Sequence, residues 1–188
     1  YDILHTGGTV SPGGFEAGGL PLGSGATWTM DGATAAISST RGINLSDAQF
    51  TLEQGNANLT ANNRDTTVNG SSASLTIDGG TMTIGRTLIV RNGATLTVNG
   101  GTLTGIGAIS APGFAGAAGP IAFNGGTISA NQFSFDKPAT ITFGGSTPGS
   151  LTLLASLGSG ATLNWLPGSL MSMTVTGATD WAETEWNA

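Results

Sequence analysis

Residues 71–109 read SSASLTIDGGTMTIGRTLIVRNGATLTVNGGTLTGIGAI, and this stretch decides the fold. It contains two copies of one unit, in which a short alternating strand, an acidic or amide residue, a Gly-Gly pair and a second alternating strand follow each other. The first strands of the two copies contain Leu75 and Leu96 at equivalent places. Alternation with period 2 puts apolar side chains on one face and threonines on the other, and the Gly-Gly corner tolerates positive φ. A strand–corner–strand unit repeating about every 20 residues is typical of a solenoid.

The same unit recurs through most of the chain at a steady interval. Its spacing predicts an all-β fold, a single-stranded parallel β-helix (β-solenoid) of about seven coils of about 20–25 residues. The inward apolar pairs that define the coils are Trp28/Met30, Phe50/Leu52, Leu75/Ile77, Leu96/Val98, Ile121/Phe123, Ile141/Phe143 and Leu163/Trp165.

The chain divides into three segments, of which the middle one carries the clean repeats. Residues 1–25 contain turn residues without strand pairs, so we predict an irregular N-terminal cap or degenerate coil, since terminal repeats are usually atypical. Residues 26–175 are predicted to form the solenoid, with three short strands in each coil, because a third apolar pair recurs at Leu88 and Val90 and at Phe133 and Phe135. Residues 176–188 break the pattern and are predicted to form a C-terminal tail or cap.

Composition and charge exclude several classes of protein. Gly accounts for 32 of 188 residues and charged residues for 9%, and no window has the apolar spacing of an amphipathic helix. The 38% hydrophobic content, placed with period 2, opposes disorder. A net charge of −6 argues against a nucleic-acid or anionic-membrane partner. The sequence has no cysteine and no apolar run of about 18 residues, so no membrane span is predicted.

The units SSASLTIDGGTMTIG and NGATLTVNGGTLTGIGAI resemble the Gly-Gly-Thr-Leu repeats of bacterial autotransporter passenger domains and related exported repeat proteins. The resemblance covers roughly residues 23–175. It implies a right-handed parallel β-helix and an extracellular or cell-surface location on a bacterium, whereas such repeats specify function poorly.

The main functional hypothesis is an extracellular structural solenoid, which is a surface scaffold, an adhesin-like module or the subunit of a self-assembling filament. The expected partner is a second copy of the chain, end to end, with cell-surface glycans as another class. Bare ends of a solenoid expose strand edges and core, and two tryptophans follow the final recognisable strand. The candidate assembly contacts are Phe15, Leu20 and Trp28 at one end and Trp181 and Trp186 at the other.

A second hypothesis is ice binding, because the outward residues beside the first strand of each coil are mostly threonines. Two columns of threonine on a flat sheet resemble the ice-binding face of β-solenoid antifreeze proteins. Threonine is also a favoured strand residue that pairs well between rungs, and Pro120 and Ala122 interrupt the array. The candidate ice-binding residues are Thr27, Thr29, Thr76, Thr95, Thr97, Thr140 and Thr142.

A third hypothesis is a polysaccharide-active β-helix enzyme, a class that clusters carboxylates on one face. Asp31 and Asp78 occupy the same corner two coils apart with Glu53 between them, so Asp31 and Asp78 lie about 10 Å apart. We interpret this column as an Asp/Asn ladder that hydrogen-bonds to neighbouring backbone. No catalytic, cofactor or metal site is therefore predicted, and His5, the only histidine, lies in the irregular first segment.

Overall fold

A computed structural model of the chain describes residues 1–10, 20–39, 42–60, 65–112, 116–156, 160–176 and 186–187, with the backbone alone at positions 20, 155, 156, 186 and 187. Within these ranges the secondary-structure elements are all β-strands, and there is no helix. All described strand pairs are parallel. The predicted all-β parallel solenoid of about seven coils is thus confirmed.

One strand from each coil builds a nine-stranded sheet, which we call face 1. The Thr- and Ser-rich alternation of these segments suits a sheet that is buried on one side only. The strands are β1 (Asp2–His5), β4 (Thr27–Met30), β7 (Gln49–Leu52), β10 (Ser74–Ile77), β13 (Thr95–Val98), β15 (Ile121–Phe123), β17 (Ala139–Phe143), β19 (Ala161–Trp165) and β21 (Trp186–Asn187).

The other strands form faces 2 and 3, which are distinct in the N-terminal coils. Face 2 contains β2 (Gly8–Val10), β5 (Ala35–Ser38), β8 (Asn56–Leu59) and β11 (Thr81–Ile84), and face 3 contains β3 (Leu20–Leu22), β6 (Ile43–Ser46), β9 (Thr66–Asn69) and β12 (Thr87–Arg91). Both faces then share β14 (Thr102–Ala111) and β16 (Gly126–Phe135), and β18 (Gly149–Ser156) and β20 (Met171–Val175) follow.

The merging of faces 2 and 3 differs from the prediction of three separate strands in every coil. Gly105 has φ +75° and lies within a register shift between Leu103 and Ile106. A glycine at positive φ makes a β-bulge at low cost. The strand therefore turns the corner without ending, and Ile106 faces the core, with 2% of its surface exposed.

The core follows the register predicted from the sequence. The first inward residues of the face 1 strands pair with one another from coil to coil, and their side chains are buried. A slip of one residue would turn all of them toward solvent, so their burial fixes this register. The paired column is Trp28, Phe50, Leu75, Leu96, Ile121, Ile141 and Leu163.

The first segment adds a further rung on the N-terminal side. Strands β1, β2 and β3 pair with β4, β5 and β6, and Ile3 aligns with Trp28. At the other end, β21 pairs with β19, with Trp186 opposite Leu163. Face 1 therefore continues beyond the seven coils at both ends.

Candidate functional surfaces

The corner after each face 1 strand collects the carboxylates that had suggested an enzyme. Asp31, Glu53 and Asp78 occupy equivalent places there, because each donates its backbone N–H to a carbonyl at the end of the preceding rung (His5, Met30 and Leu52, at 2.9–3.0 Å). Asn99 and Asn124 continue the column by donating to Ile77 and Val98 in the same way. The predicted alignment of the corner is confirmed.

Three side chains of this corner form hydrogen bonds with one another, which differs from the predicted bonds to neighbouring backbone. Asn99 Nδ2 donates to Asp78 Oδ1 at 2.7 Å, and Asn124 Nδ2 donates to Asn99 Oδ1 at 2.8 Å. A carboxylate can only accept, whereas a carboxamide donates and accepts, so the order Asp-Asn-Asn satisfies the series. We call these three residues the corner ladder. Two coils earlier, Gln54 Nε2 donates to Asp31 Oδ1 at 3.0 Å.

A second polar series lies at the corner that leads into face 1, and sequence reasoning missed it. Asp47 and Asn92 adopt left-handed backbone conformations, with φ +50° and +57°, which Asp and Asn tolerate better than other non-glycine residues. Asn92 Nδ2 donates to Asn69 Oδ1 at 2.7 Å, and Asp47 Oδ1 accepts the Ser72 N–H at 3.3 Å. The sequence signal was an Asp or Asn just before the Ala or Gly-Ala that precedes a face 1 strand.

The described residues of the two corners do not form a metal-binding cluster. Across the described residues, no cluster of three or more His, Cys, Asp or Glu side chains could hold a metal ion. A shallow depression of about 210 Å³ beside Asp47 contains no other ionisable side chain, and its remaining lining is Ser24, Gly25, Ala26, Thr27, Gln49 and Ser72.

All the candidate ice-binding threonines lie on the outer side of face 1. Thr29 pairs with Thr51, Thr51 with Thr76, and Thr76 with Thr97, and the column continues through Ala122, Thr142 and Asn164. The second column contains Thr27, Gln49, Ser74 and Thr95, and then Thr140 and Thr162. The structure thus brings the seven predicted threonines together and adds Thr51 and Thr162.

The candidate assembly contacts are distributed differently. Phe15 and Trp181 lie outside the described residues, and Leu20 belongs to β3, where it pairs with Ile43. Trp28 is only 4% exposed, since β1 covers it and its ring packs against Phe50 with centroids 5.8 Å apart. A partner at the N-terminal end would therefore meet β1 before it could reach Trp28.

The sequence matches no protein-family model, no curated protein and no solved structure. None of the described residues belongs to a helix with the length and hydropathy needed to cross a bilayer. Function is therefore inferred from the geometry of the molecule itself.

Proposed function

We propose that this chain is an extracellular structural β-solenoid, a surface scaffold or adhesin-like module that assembles end to end with copies of itself. The observation that supports it best is the continuous ladder of face 1, nine parallel strands above an unbroken apolar column. In such a rod each coil is stabilised by its neighbours, so the same contacts can continue into another copy. Nine rungs span about 38 Å, that is, eight spacings of about 4.8 Å.

The N-terminal edge of face 1 has the groups needed to accept another strand. The carbonyls of Tyr1 and His5 accept the N–H groups of Thr27 and Asp31, both at 3.0 Å. Successive residues of a parallel strand direct their backbone groups to opposite sides. The N–H of Leu4 therefore points to the edge that carries no partner among the described strands, and its side chain is 67% exposed.

The C-terminal end of the core is the matching surface. Met173 and Val175 of β20 are only partly buried, whereas Leu151 and Leu153, their partners in β18, are fully buried. Covering these side chains with the first coil of a neighbour would remove apolar surface from water, which favours association by about 25 cal/mol per Å².

The test is negative-stain microscopy and sedimentation of the full chain, with the parent expected to form rods longer than one molecule. Leu4→Pro removes the outward N–H and leaves the hydrogen bonds between β1 and β4 in place, so it should reduce rods to single molecules. Leu4→Ala is the matched control, because it removes the exposed side chain but keeps the N–H. A parent that is monomeric at every concentration would refute self-assembly, and a Leu4→Pro variant that assembles normally would exclude this edge.

A further inference from the structure

The outer side of face 1 is a long and regular surface. Its rungs pair from β1 to β19 without any register shift, although the length of chain between successive rungs varies. Rungs of a sheet lie about 4.8 Å apart, and outward positions of one strand lie about 6.6 Å apart. The surface is therefore a two-dimensional lattice of side chains.

Threonine fills nine places of this lattice between β4 and β19: Thr27, Thr29, Thr51, Thr76, Thr95, Thr97, Thr140, Thr142 and Thr162. The other outward residues on those strands are Gln49, Ser74, Ala122 and Asn164, so the rungs from β4 to β19 carry no charge and no aromatic ring. The one outward carboxylate on the described part of this face, Asp2 of β1, lies at its N-terminal edge and accepts a hydrogen bond from the Thr27 hydroxyl. A β-branched side chain has few rotamers in a strand. The hydroxyl and methyl groups are therefore largely fixed before any ligand arrives, which lowers the entropic cost of binding.

Face 2 also carries hydroxyls in register. One of its outward columns contains Thr81, Thr102, Thr127, Ser150 and Ser172. The rung before this column carries Asn56 and Asn58, opposite threonines of β11, and the neighbouring column meets the register shift between Leu103 and Ile106. Face 2 is therefore a shorter hydroxyl surface, from which any test of face 1 has to distinguish it.

We propose that face 1 binds ice. The rungs from β4 to β19 form a regular, uncharged array of hydroxyl and methyl groups, which suits a solid whose surface is a periodic array of water oxygens. Crystalline polysaccharide also presents a periodic surface, but its binding relies on aromatic rings that stack on sugars, and the lattice has none. This activity is separate from end-to-end assembly, because it uses the side of the rod.

The test measures ice recrystallisation and ice-affinity partition of the purified chain, with an inert protein at equal concentration as the baseline. Thr76→Tyr places a bulky ring in the middle of the lattice and should abolish the inhibition of ice growth. Thr83→Tyr is the matched control, since Thr83 lies in the same coil, faces outward on face 2 and is buried to a similar extent. Circular dichroism should show that both variants keep the fold.

A gain-of-function variant keeps the proposal testable if a tyrosine disturbs folding. Ala122→Thr fills the gap between Thr97 and Thr142, so it should inhibit ice growth at a lower concentration than the parent. The proposal is overturned if the parent does not affect ice, if Thr83→Tyr is as damaging as Thr76→Tyr, or if Ala122→Thr changes nothing. Binding to crystalline cellulose or chitin in place of ice would equally overturn it.

Discussion

Asn99→Asp should lower the free energy of unfolding by about 2.5 kcal/mol, because it converts the middle of the corner ladder from a donor into a second carboxylate. In the native ladder Asn99 Nδ2 lies 2.7 Å from Asp78 Oδ1. A hydrogen bond to a charged group contributes about 1.5 kcal/mol, and an exposed one falls near this lower limit. Two carboxylates about 4 Å apart in water repel by about 1 kcal/mol. The bond from Asn124 survives, because a carboxylate accepts as a carboxamide oxygen does.

The assay is urea unfolding, followed by circular dichroism, of four proteins that form a double-mutant cycle. They are the parent, Asp78→Asn, Asn99→Asp and the double exchange, all in chelator so that no bound metal masks the repulsion. The double exchange reverses donor and acceptor, so its stability should return to within about 0.5 kcal/mol of the parent. If Asn99→Asp is neutral, or if the double exchange is no better than Asn99→Asp alone, the corner ladder does not stabilise the coils.

Three further predictions concern the core, a corner and the tail. Thr66→Val should raise the unfolding free energy by about 1 kcal/mol, since the buried Thr66 hydroxyl has no hydrogen-bond partner among the described residues, whereas Val68→Thr in the same strand should lower it. Gly101→Ala should lower the free energy of unfolding by about 1–3 kcal/mol, because φ is +67° and the added Cβ would lie 2.6 Å from the backbone of Gly79. Gly23→Ala is its control in thermal unfolding and should be near neutral, because a Cβ there meets open space. Deleting residues 179–188 removes β21, the last described strand of face 1 and the edge to which a neighbour's β1 would pair, so it should turn rods into monomers by sedimentation; rods that persist would place the contact elsewhere.

The sequence predicted the coils well because several constraints agree on one register. In residues 71–109, period-2 alternation fixes which side chains enter the core, and the Gly-Gly corners fix where each strand ends. Gly80 and Gly101 have φ near +66°, and a Cβ at either would meet the preceding coil within 2.6 Å. Both positions therefore require glycine, which is why the corner repeats so visibly.

The features that the sequence did not predict depend on contacts between coils. Leu103-Thr104-Gly105 resembles Met82-Thr83-Ile84 in pattern, yet Gly105 bulges and lets one strand cover two faces. The side-chain bonds of the corner ladder were missed because each joins residues from two successive coils, far apart in the sequence. The sequence of one coil does not show whether a polar corner residue will form a hydrogen bond with the backbone or with a side chain of the next coil.

The same register underlies both proposals for this molecule. Leu96 and Ile121 are separated by a longer stretch of sequence than Ile121 and Ile141, yet face 1 shows no shift between these rungs. The variation in coil length is therefore absorbed at the corners and on the other faces. A core held in this register gives a rod whose ends can be continued by another copy, and it fixes the spacing of the threonines that project from the opposite side of the sheet. An insertion within a face 1 strand should for this reason disrupt assembly and ice binding together, whereas one at a corner should spare both.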